Sequence, residues 1–137
     1  VYFASKEIGA FKGRESAMNL DSNVLPLADK LPLAKPEVFT LVASRSHLSD
    51  ETQEYINKKE EEHGKVESIS RGSSLKLCMV AEGLANEYPR FAPTMEWDTA
   101  AGQAICEAAG KEVVVWPAQE PLLYNREQLL NPWFLVR

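Results

Sequence analysis

The chain has 137 residues, of which 45% are hydrophobic and 26% are charged, and this composition is typical of one ordinary globular domain. The formal net charge of -5 provides no basic field for nonspecific nucleic-acid binding, although a local pocket can still hold a charged small molecule. No apolar run reaches the about 18 residues of a membrane-spanning helix, and the two cysteines, Cys78 and Cys106, form neither a disulfide framework nor a zinc pattern.

The N-terminal part of the chain reads as a hairpin followed by a loop. Residues 1–4 and 10–12 have the apolar character of short strands, and Gly9 lies between them as in a hairpin turn. Residues 19–36 are rich in Asp, Asn and Pro without a period, which predicts a loop with at most a short turn of helix. Because the sequence opens inside a predicted strand, we expect a piece of a longer protein. The predicted parts are the end of an absent N-terminal domain's sheet with its connecting loop, residues 1–36, and a C-terminal domain, residues 37–137.

Strand and helix patterns alternate from residue 38 onward. A nearly continuous apolar run at 38–43 is typical of a central strand that is buried on both faces. Ser49 is placed to cap the helix that follows, and Gly64 to end it. The further predicted elements are strands at 65–70, 86–91, 113–116 and, more weakly, 122–124, and helices at 75–84 and 97–109. This order predicts an α/β fold, a layered domain with a mixed, roughly five-stranded sheet and helices on both faces.

Asp98 heads the third predicted helix, in the run WDTAAG that begins at Trp97. An aspartate at a helix start is placed to be the N-cap and to accept a backbone N–H of the first turn. The following residues have almost no side-chain bulk, so that another backbone or a ligand can come close. A carboxylate there can cap with one oxygen and bind a hard cation with the other. The spacing alone favours capping and leaves the metal role open.

The run WDTAAG resembles the second signature of the inositol monophosphatase superfamily. Further segments occur in that family's order and at about its spacing: Gly72-Ser73, Cys78-x-Val80-Ala81-x-Gly83, Tyr88 and Leu130-Asn131-Pro132. Other segments are similar to the bacterial 3'(2'),5'-bisphosphate nucleotidases of the CysQ type: Ser44-Arg45-Ser46-His47, Gly72-Ser73-Ser74-Leu75-Lys76 and Tyr88-Pro89-Arg90-Phe91. The similarity extends over nearly the whole chain and is weakest at 19–37.

The resemblance implies a Mg2+-dependent phosphatase that removes the 3'-phosphate of adenosine 3',5'-bisphosphate (PAP). It implies the following roles: a contact to the nucleoside for His47, phosphate binding for Ser73 or Ser74 together with Lys76, a second phosphate or nucleotide contact for Arg90, and magnesium ligation facing the scissile phosphate for Asp98. Asp98 is therefore the candidate catalytic residue. The implied location is cytoplasmic, with peripheral attachment to the inner membrane left open.

The physical chemistry of these positions agrees with an anion site, although each residue also has a simpler explanation. Ser73 and Ser74 precede a helix, where free N–H groups and the helix dipole favour an anion. Lys76 in the first turn opposes that dipole, which an anionic partner would explain, whereas most lysines are simply solvated. Arg90 can present a planar fork to phosphate or lie at the end of an edge strand. His47 follows a buried strand, where ligands of open sheets gather, or is a solvated loop residue.

Several carboxylates that such a hydrolase needs are missing from the sequence. The resemblance assigns the other magnesium ligands to an upstream glutamate and an Asp-Pro-x-Asp-Gly-Thr segment, neither of which occurs here. Glu96 and Glu107 are nearby acids that match no ligand of the family. We therefore expect Asp98 to need an N-terminal domain as its partner, and the chain alone to have no significant phosphatase activity. Two alternatives are an inositol monophosphatase-like enzyme and a noncatalytic nucleotide-binding module.

Overall fold

The computed structural model describes residues 1–13, 28–43 and 48–137. Within these residues the chain forms eight strands and three helices, in this order: β1 (Tyr2–Ser5), β2 (Gly9–Gly13), β3 (Ala28–Lys30), β4 (Phe39–Val42), α1 (Asp50–His63), β5 (Val66–Ile69), α2 (Leu75–Glu82), β6 (Tyr88–Arg90), α3 (Glu96–Ala108), β7 (Val113–Val115) and β8 (Phe134–Val136). No helix in these ranges is long and apolar enough to span a bilayer.

The strands are arranged in three ladders. β1, β2 and β3 form an antiparallel sheet, β4 and β5 pair in parallel, and β6, β8 and β7 form a second antiparallel sheet in that order. A parallel bridge from Leu41 to Glu87 joins β4 to the start of β6, and the Val42 N–H donates to the Glu87 carbonyl over 2.8 Å. A two-stranded and a three-stranded ladder thus meet at this bridge, and a single sheet of five strands stays a prediction.

Two local predictions are wrong, one of a strand and one of a loop. Residues 122–124 form no strand, because only Leu122 makes a ladder-like bond, from its N–H to the Val113 carbonyl over 3.0 Å. A strand that was not predicted, β8, lies between β6 and β7 and is short but buried along its whole length. The loop predicted at 19–36 contains β3, which hydrogen bonds with β2; residues 19–27 of that predicted loop lie outside the described residues.

Helix ends follow the sequence signals. The Ser49 hydroxyl accepts from the Thr52 N–H at the start of α1, and Gly64 ends that helix at φ +77°. Gly83 ends α2 at φ +79°, and a Cβ there would lie 1.9 Å from the Ala34 carbonyl oxygen. Only glycine accommodates both the left-handed backbone and this close approach.

Helices pack on both faces of the sheet, as predicted, because successive strand residues alternate between two cores. One core lies between the sheet, α2 and α3, and it includes Val42, Val113, Phe134 and Val136 from the strands. The other lies between the sheet and α1, and it includes Leu41, Val114 and Leu135 together with Tyr55 and Ile56 of the helix. Both cysteines are buried, as expected for small hydrophobic side chains, and Cys106 belongs to the first core.

The β1–β2 hairpin packs against α3 and is tied to α2 by a buried acid. Glu82 is 4% exposed, and its carboxylate accepts from the Tyr2 hydroxyl and, over 2.7 Å, from the Lys12 ammonium. Ala10 of β2 belongs to the same core as Leu77 of α2. The hairpin is therefore packed onto the rest of the described chain, and the domain boundary at residue 36 stays a prediction.

Candidate functional site

One pocket is lined by most of the predicted site residues. It lies where α2, β6 and α3 meet, and its volume is about 240 Å3. Sites for drug-sized ligands usually have volumes of ~300–1,000 Å3, so this pocket suits a compact group better than a whole nucleotide. Five of the six predicted residues line it: Ser73, Ser74, Lys76, Arg90 and Asp98. The sixth, His47, lies outside the described residues, and the role of each residue stays a prediction.

A second, smaller pocket adjoins the first. Its volume is about 60 Å3, and it shares Lys76 and Arg90 with the larger pocket. Its lining also includes Ala43 and Leu48, the described residues on either side of the segment that contains His47. The two cationic side chains therefore stand between the two pockets.

The turn before α2 leaves backbone donors available at the pocket. Ser73 has a φ of +51°, in the left-handed region that residues other than glycine rarely adopt. Ser74 is the N-cap residue, but its side chain makes no capping hydrogen bond. In the part of the chain that the structure describes, neither serine donates its backbone N–H to a protein acceptor. Because the helix dipole also places positive potential here, this turn favours an anion.

Lys76 carries an unfavourable positive charge at this turn. The side chain is partly buried, and its ammonium lies 5.8 Å from the centre of the Tyr88 ring. Burial lowers the pKa of Lys76 below its usual value, and the nearby Arg90 guanidinium lowers it further. An anion bound between the two cations would favour the charged form of the lysine.

Arg90 presents an unsatisfied donor. Its Nη2 atom donates to the Pro93 carbonyl over 3.1 Å, whereas its Nε atom is buried and has no hydrogen-bond partner among the described residues. A buried donor without an acceptor costs about 1–3 kcal/mol. Arg90 is half-buried, and β6 pairs with β8 on one side and bridges toward β4 on the other. A fully solvated surface position does not fit this half-buried side chain, and the role of Arg90 stays a prediction.

Asp98 lies at the third position of α3, not at the predicted N-cap. The N-cap is Met95, whose backbone N–H donates to Oδ2 of Asp98 over 2.9 Å. The helix begins one residue earlier than expected, so the carboxylate caps the helix by reaching back toward the preceding turn. Asp98 is exposed and lines the pocket, which leaves its second oxygen available for a ligand.

The small residues of the run WDTAAG allow α3 to approach α2 closely, as the sequence indicates. A Cβ built on Gly102 would lie 3.0 Å from Cδ2 of Leu77. The Cys106 thiol donates to the Leu77 carbonyl over 3.3 Å. This close packing fixes the separation of the two helix starts that face the pocket.

A buried polar network holds the start of α3 from behind. Glu96 is 8% exposed and points away from the pocket: its carboxylate accepts from the Asn125 and Arg126 N–H groups (2.9 and 3.2 Å) and from Arg126 Nε (3.0 Å). Desolvation raises the pKa of Glu96, but these hydrogen bonds and the arginine charge lower the pKa by more, so the net direction is downward. Although adjacent to Asp98 in sequence, Glu96 is part of the support and not of the pocket.

The remaining members of this network were missed by the sequence reasoning. Asn131 is 5% exposed, and its amide nitrogen lies within hydrogen-bond distance of Thr94 Oγ1 (3.2 Å), the Met95 carbonyl (3.0 Å) and Thr99 Oγ1 (3.0 Å). Tyr124 contacts Thr99 from the other side, with 3.1 Å between the two hydroxyl oxygens. The segment Leu130-Asn131-Pro132 was noted only as a resemblance, and it was the one available signal for a structural role here.

The residues of the pocket fit a magnesium ion only in part. Asp98 offers a hard carboxylate oxygen, the ligand type that Mg2+ prefers, and the same pocket is lined by four serine and threonine residues: Ser73, Ser74, Thr94 and Thr99. Within residues 1–13, 28–43 and 48–137, no group of three or more acidic, His or Cys side chains is placed to hold a metal ion. Asp98 is thus a suitable single ligand that needs further acids.

Comparison with known proteins identifies the family. A sequence model described as the inositol monophosphatase family matches residues 1–133. The chain is 50% identical over 96 residues to the 3'(2'),5'-bisphosphate nucleotidase CysQ of Salmonella typhimurium, a match that covers 70% of this chain and 37% of that protein. The Escherichia coli K12 enzyme of the same name is 50% identical over 97 residues, with the same coverage.

Solved structures agree with the sequence matches. The crystal structure of CysQ from Bacteroides thetaiotaomicron, described as a bacterial member of the inositol monophosphatase family, has a TM-score of 0.88 and 51% identity and covers 99% of this chain and 52% of that one. SaIMPase-II with bound inositol monophosphate has a TM-score of 0.66 at 20% identity over 98% of this chain and 46% of that one, which supports the fold alone. The chain spans about half or less of the length of these relatives. It belongs to the inositol monophosphatase family.

Proposed function

We propose that this chain forms the phosphate-binding half of a Mg2+-dependent phosphatase that hydrolyses the 3'-phosphate of adenosine 3',5'-bisphosphate to give AMP and phosphate. One observation carries the proposal: Lys76, Arg90, Asp98 and the open turn at Ser73 and Ser74 come from three separate elements and line one pocket. The substrate class follows that of the CysQ relatives, which are named as 3'(2'),5'-bisphosphate nucleotidases.

The positively charged groups would bind the phosphate, and the negatively charged Asp98 would bind the metal. The free N–H groups before α2, the Lys76 ammonium and the Arg90 guanidinium would bind phosphate oxygens and stabilise the negative charge of the transition state. Asp98, held by its hydrogen bond to the Met95 N–H, would be one ligand of the metal. A bound Mg2+ would polarise the phosphate and activate a water molecule.

The same reasoning predicts that the chain is inactive alone. Asp98 is the one acidic side chain among the described residues of this pocket, and a single carboxylate does not hold Mg2+ strongly against bulk water. We propose that an N-terminal domain supplies the other acids, in a cytoplasmic enzyme. Addition of that domain, and not of metal alone, is therefore expected to produce activity.

A chimeric enzyme tests this proposal. The chain would replace the matching segment of Escherichia coli CysQ, to which it is 50% identical, and phosphate release from adenosine 3',5'-bisphosphate would be measured with Mg2+. We expect activity in the chimera, none in the isolated chain, and loss of at least about 100-fold in kcat when Asp98→Asn is introduced into the chimera.

The two alternatives give different results in the same assay. Faster hydrolysis of inositol 1-phosphate than of the bisphosphate would indicate an inositol monophosphatase-like enzyme. A folded chimera that binds the nucleotide without hydrolysing it would indicate a noncatalytic module. Either result would overturn the proposed reaction.

A further inference from the structure

Thr94 is a pocket residue with an unusual connection to the buried network. It lines the pocket together with Arg90 and Asp98. Its hydroxyl oxygen lies 3.2 Å from the amide nitrogen of Asn131, and its carbonyl accepts from the Asn131 N–H over 2.8 Å. The residue is therefore held from behind by one asparagine and faces the pocket in front.

The donor and the acceptor in each of these hydrogen bonds can be assigned from the charged side chains of Glu96 and Arg126. Glu96 is an acceptor, so Arg126 Nε donates to it over 3.0 Å. Arginine has only donors, so the Asn131 atom that lies 2.8 Å from Arg126 Nη2 must be the oxygen Oδ1. The other amide atom, Nδ2, then faces Thr94 and can only donate.

This polarity determines what the Thr94 hydroxyl can do. Asn131 Nδ2 has two hydrogens for three oxygens, the Met95 carbonyl and Thr99 Oγ1 at 3.0 Å and Thr94 Oγ1 at 3.2 Å, so the Thr94 oxygen accepts a shared hydrogen. Among the described residues no acceptor for the Thr94 hydrogen is found. A hydroxyl has one donor and two acceptor positions. The hydrogen is consequently left for a group in the pocket, beside the Lys76 and Arg90 cations that favour an anion.

We infer that the Thr94 hydroxyl donates a hydrogen bond to the bound phosphate, and that the Glu96–Arg126–Asn131 chain positions it as a donor. The inference rests on the proposed phosphate site. A neutral donor binds an anion oxygen without adding to the repulsion between Lys76 and Arg90. Thr94 is thus a phosphate-binding residue, and Asn131 is a positioning residue that acts through it.

The test uses the chain itself and inorganic phosphate as the probe. Phosphate affinity would be measured by calorimetry at neutral pH, with amide NMR shifts at Ser73, Ser74 and Lys76 to locate the site. Thr94→Val keeps the shape and removes the donor, and we expect it to weaken binding by about tenfold. Thr94→Ser keeps the hydroxyl and should bind within about twofold of the original chain.

A double-mutant cycle tests the positioning role of Asn131. Asn131→Asp replaces the amide donor with an acceptor, so the Thr94 hydroxyl would donate to the new carboxylate and not to phosphate. The added negative charge weakens binding in both backgrounds, whereas the loss of the donor is felt only where Thr94 is present. We therefore expect Asn131→Asp to weaken phosphate binding by a smaller factor in the Thr94→Val background.

The outcomes separate this inference from the proposed function. If the original chain shows no phosphate-dependent shifts at the pocket, the phosphate site and this inference both fail. If the original chain binds phosphate there and Thr94→Val binds equally well, only the inference fails. Equal effects of Asn131→Asp in the two backgrounds would remove the positioning role.

Discussion

The starts of α2 and α3 face the same pocket but differ in how their backbone groups are satisfied. At α3, the Glu96 N–H donates to the Leu129 carbonyl over 3.0 Å, and the Met95 N–H donates to the Asp98 carboxylate over 2.9 Å. At α2, Ser74 makes no capping hydrogen bond, and Ser73 has a left-handed backbone. The start of α3 is therefore closed, in the sense that protein groups accept from its backbone N–H groups. The start of α2 is open, in the sense that the N–H groups of Ser73 and Ser74 have no acceptor among the described residues.

The difference suggests a division of roles. A carboxylate that binds a metal must be held in place before the ligand arrives, since its geometry decides which oxygen is free. An anion, in contrast, can be bound directly by the unsatisfied N–H groups of a helix start. The closed start suits a metal ligand and the open start suits a phosphate.

The largest expected effect on stability comes from removing the hydrogen bonds that hold the start of α3. Asn131→Ala removes the amide that contacts Thr94, Met95, Thr99 and Arg126, and their buried polar groups would lose a partner. We expect the free energy of unfolding to fall by about 2–4 kcal/mol, measured by urea denaturation.

A surface asparagine provides the matched control for Asn131. Asn57 is exposed on α1, and among the described residues its side chain accepts a hydrogen bond from Gln53 alone. Asn57→Ala should change stability by less than about 0.5 kcal/mol. If Asn131→Ala proves equally mild, the start of α3 is not held by the network, and the contrast between the two helices is lost.

At the open start, we expect function and stability to separate. Lys76→Met removes a charge that burial and Arg90 both disfavour. Because the folded pKa of Lys76 is lowered, the charged form costs stability below that pKa, and the cost disappears as pH rises above the unfolded value of about 10.4. At neutral pH the variant should be as stable as the original chain or slightly more stable, since the partial exposure of Lys76 screens the effect.

Phosphate binding by the same variant should change in the opposite direction. Loss of a charge-assisted hydrogen bond of about 1.5–3 kcal/mol weakens phosphate binding by roughly 10- to 100-fold. Lys58→Met on the exposed face of α1 is the matched control and should leave affinity unchanged. Unaltered affinity in Lys76→Met, at equal stability, would show that the open start is not the anion site.

Sequence patterns predicted the positions of strands and helices better than they predicted which strands pair with each other. The apolar run of β4 and the cap at Ser49 are local signals, and both are confirmed. β8 was missed because three apolar residues near the chain end carry no period, and their position between β6 and β7 depends on long-range pairing. Register and neighbours are decided by tertiary packing, which a single sequence does not display.

The candidate site shows the same limit. Asp98, Lys76 and Arg90 were identified because they match a family pattern, and the structure brings them to one pocket. Asn131 and Thr94 are 37 residues apart in sequence and have side chains of ordinary type, so nothing local connects them. Asp98 was predicted as the N-cap and lies three places further into the helix, since Met95 is not a residue type that marks an N-cap.

The dependence of stability on acid pH would further test the contrast between the starts of α2 and α3. The hydrogen bonds and charge at Glu96 lower its pKa in the folded chain despite desolvation. Its contribution to stability is then fully present above the unfolded pKa of about 4.3 and is lost as pH falls through the lower folded value. Stability should decline below about pH 4, and Glu96→Gln, already weaker at pH 7, should show a shallower decline over that range. Parallel pH profiles for the two proteins would argue against a role of Glu96 in closing α3.

The smallest expected effect compares two serines at helix starts. Ser49 accepts from the Thr52 N–H over 3.3 Å at the start of α1, so Ser49→Ala should cost about 1 kcal/mol, as is typical of a lost cap. Ser74 makes no such bond, so Ser74→Ala should change the free energy of unfolding by less than about 0.5 kcal/mol. Equal losses in the two variants, measured by urea denaturation, would mean that α2 is capped in solution. Its N–H groups would then already have a partner, and phosphate would have to displace the serine side chain in order to bind.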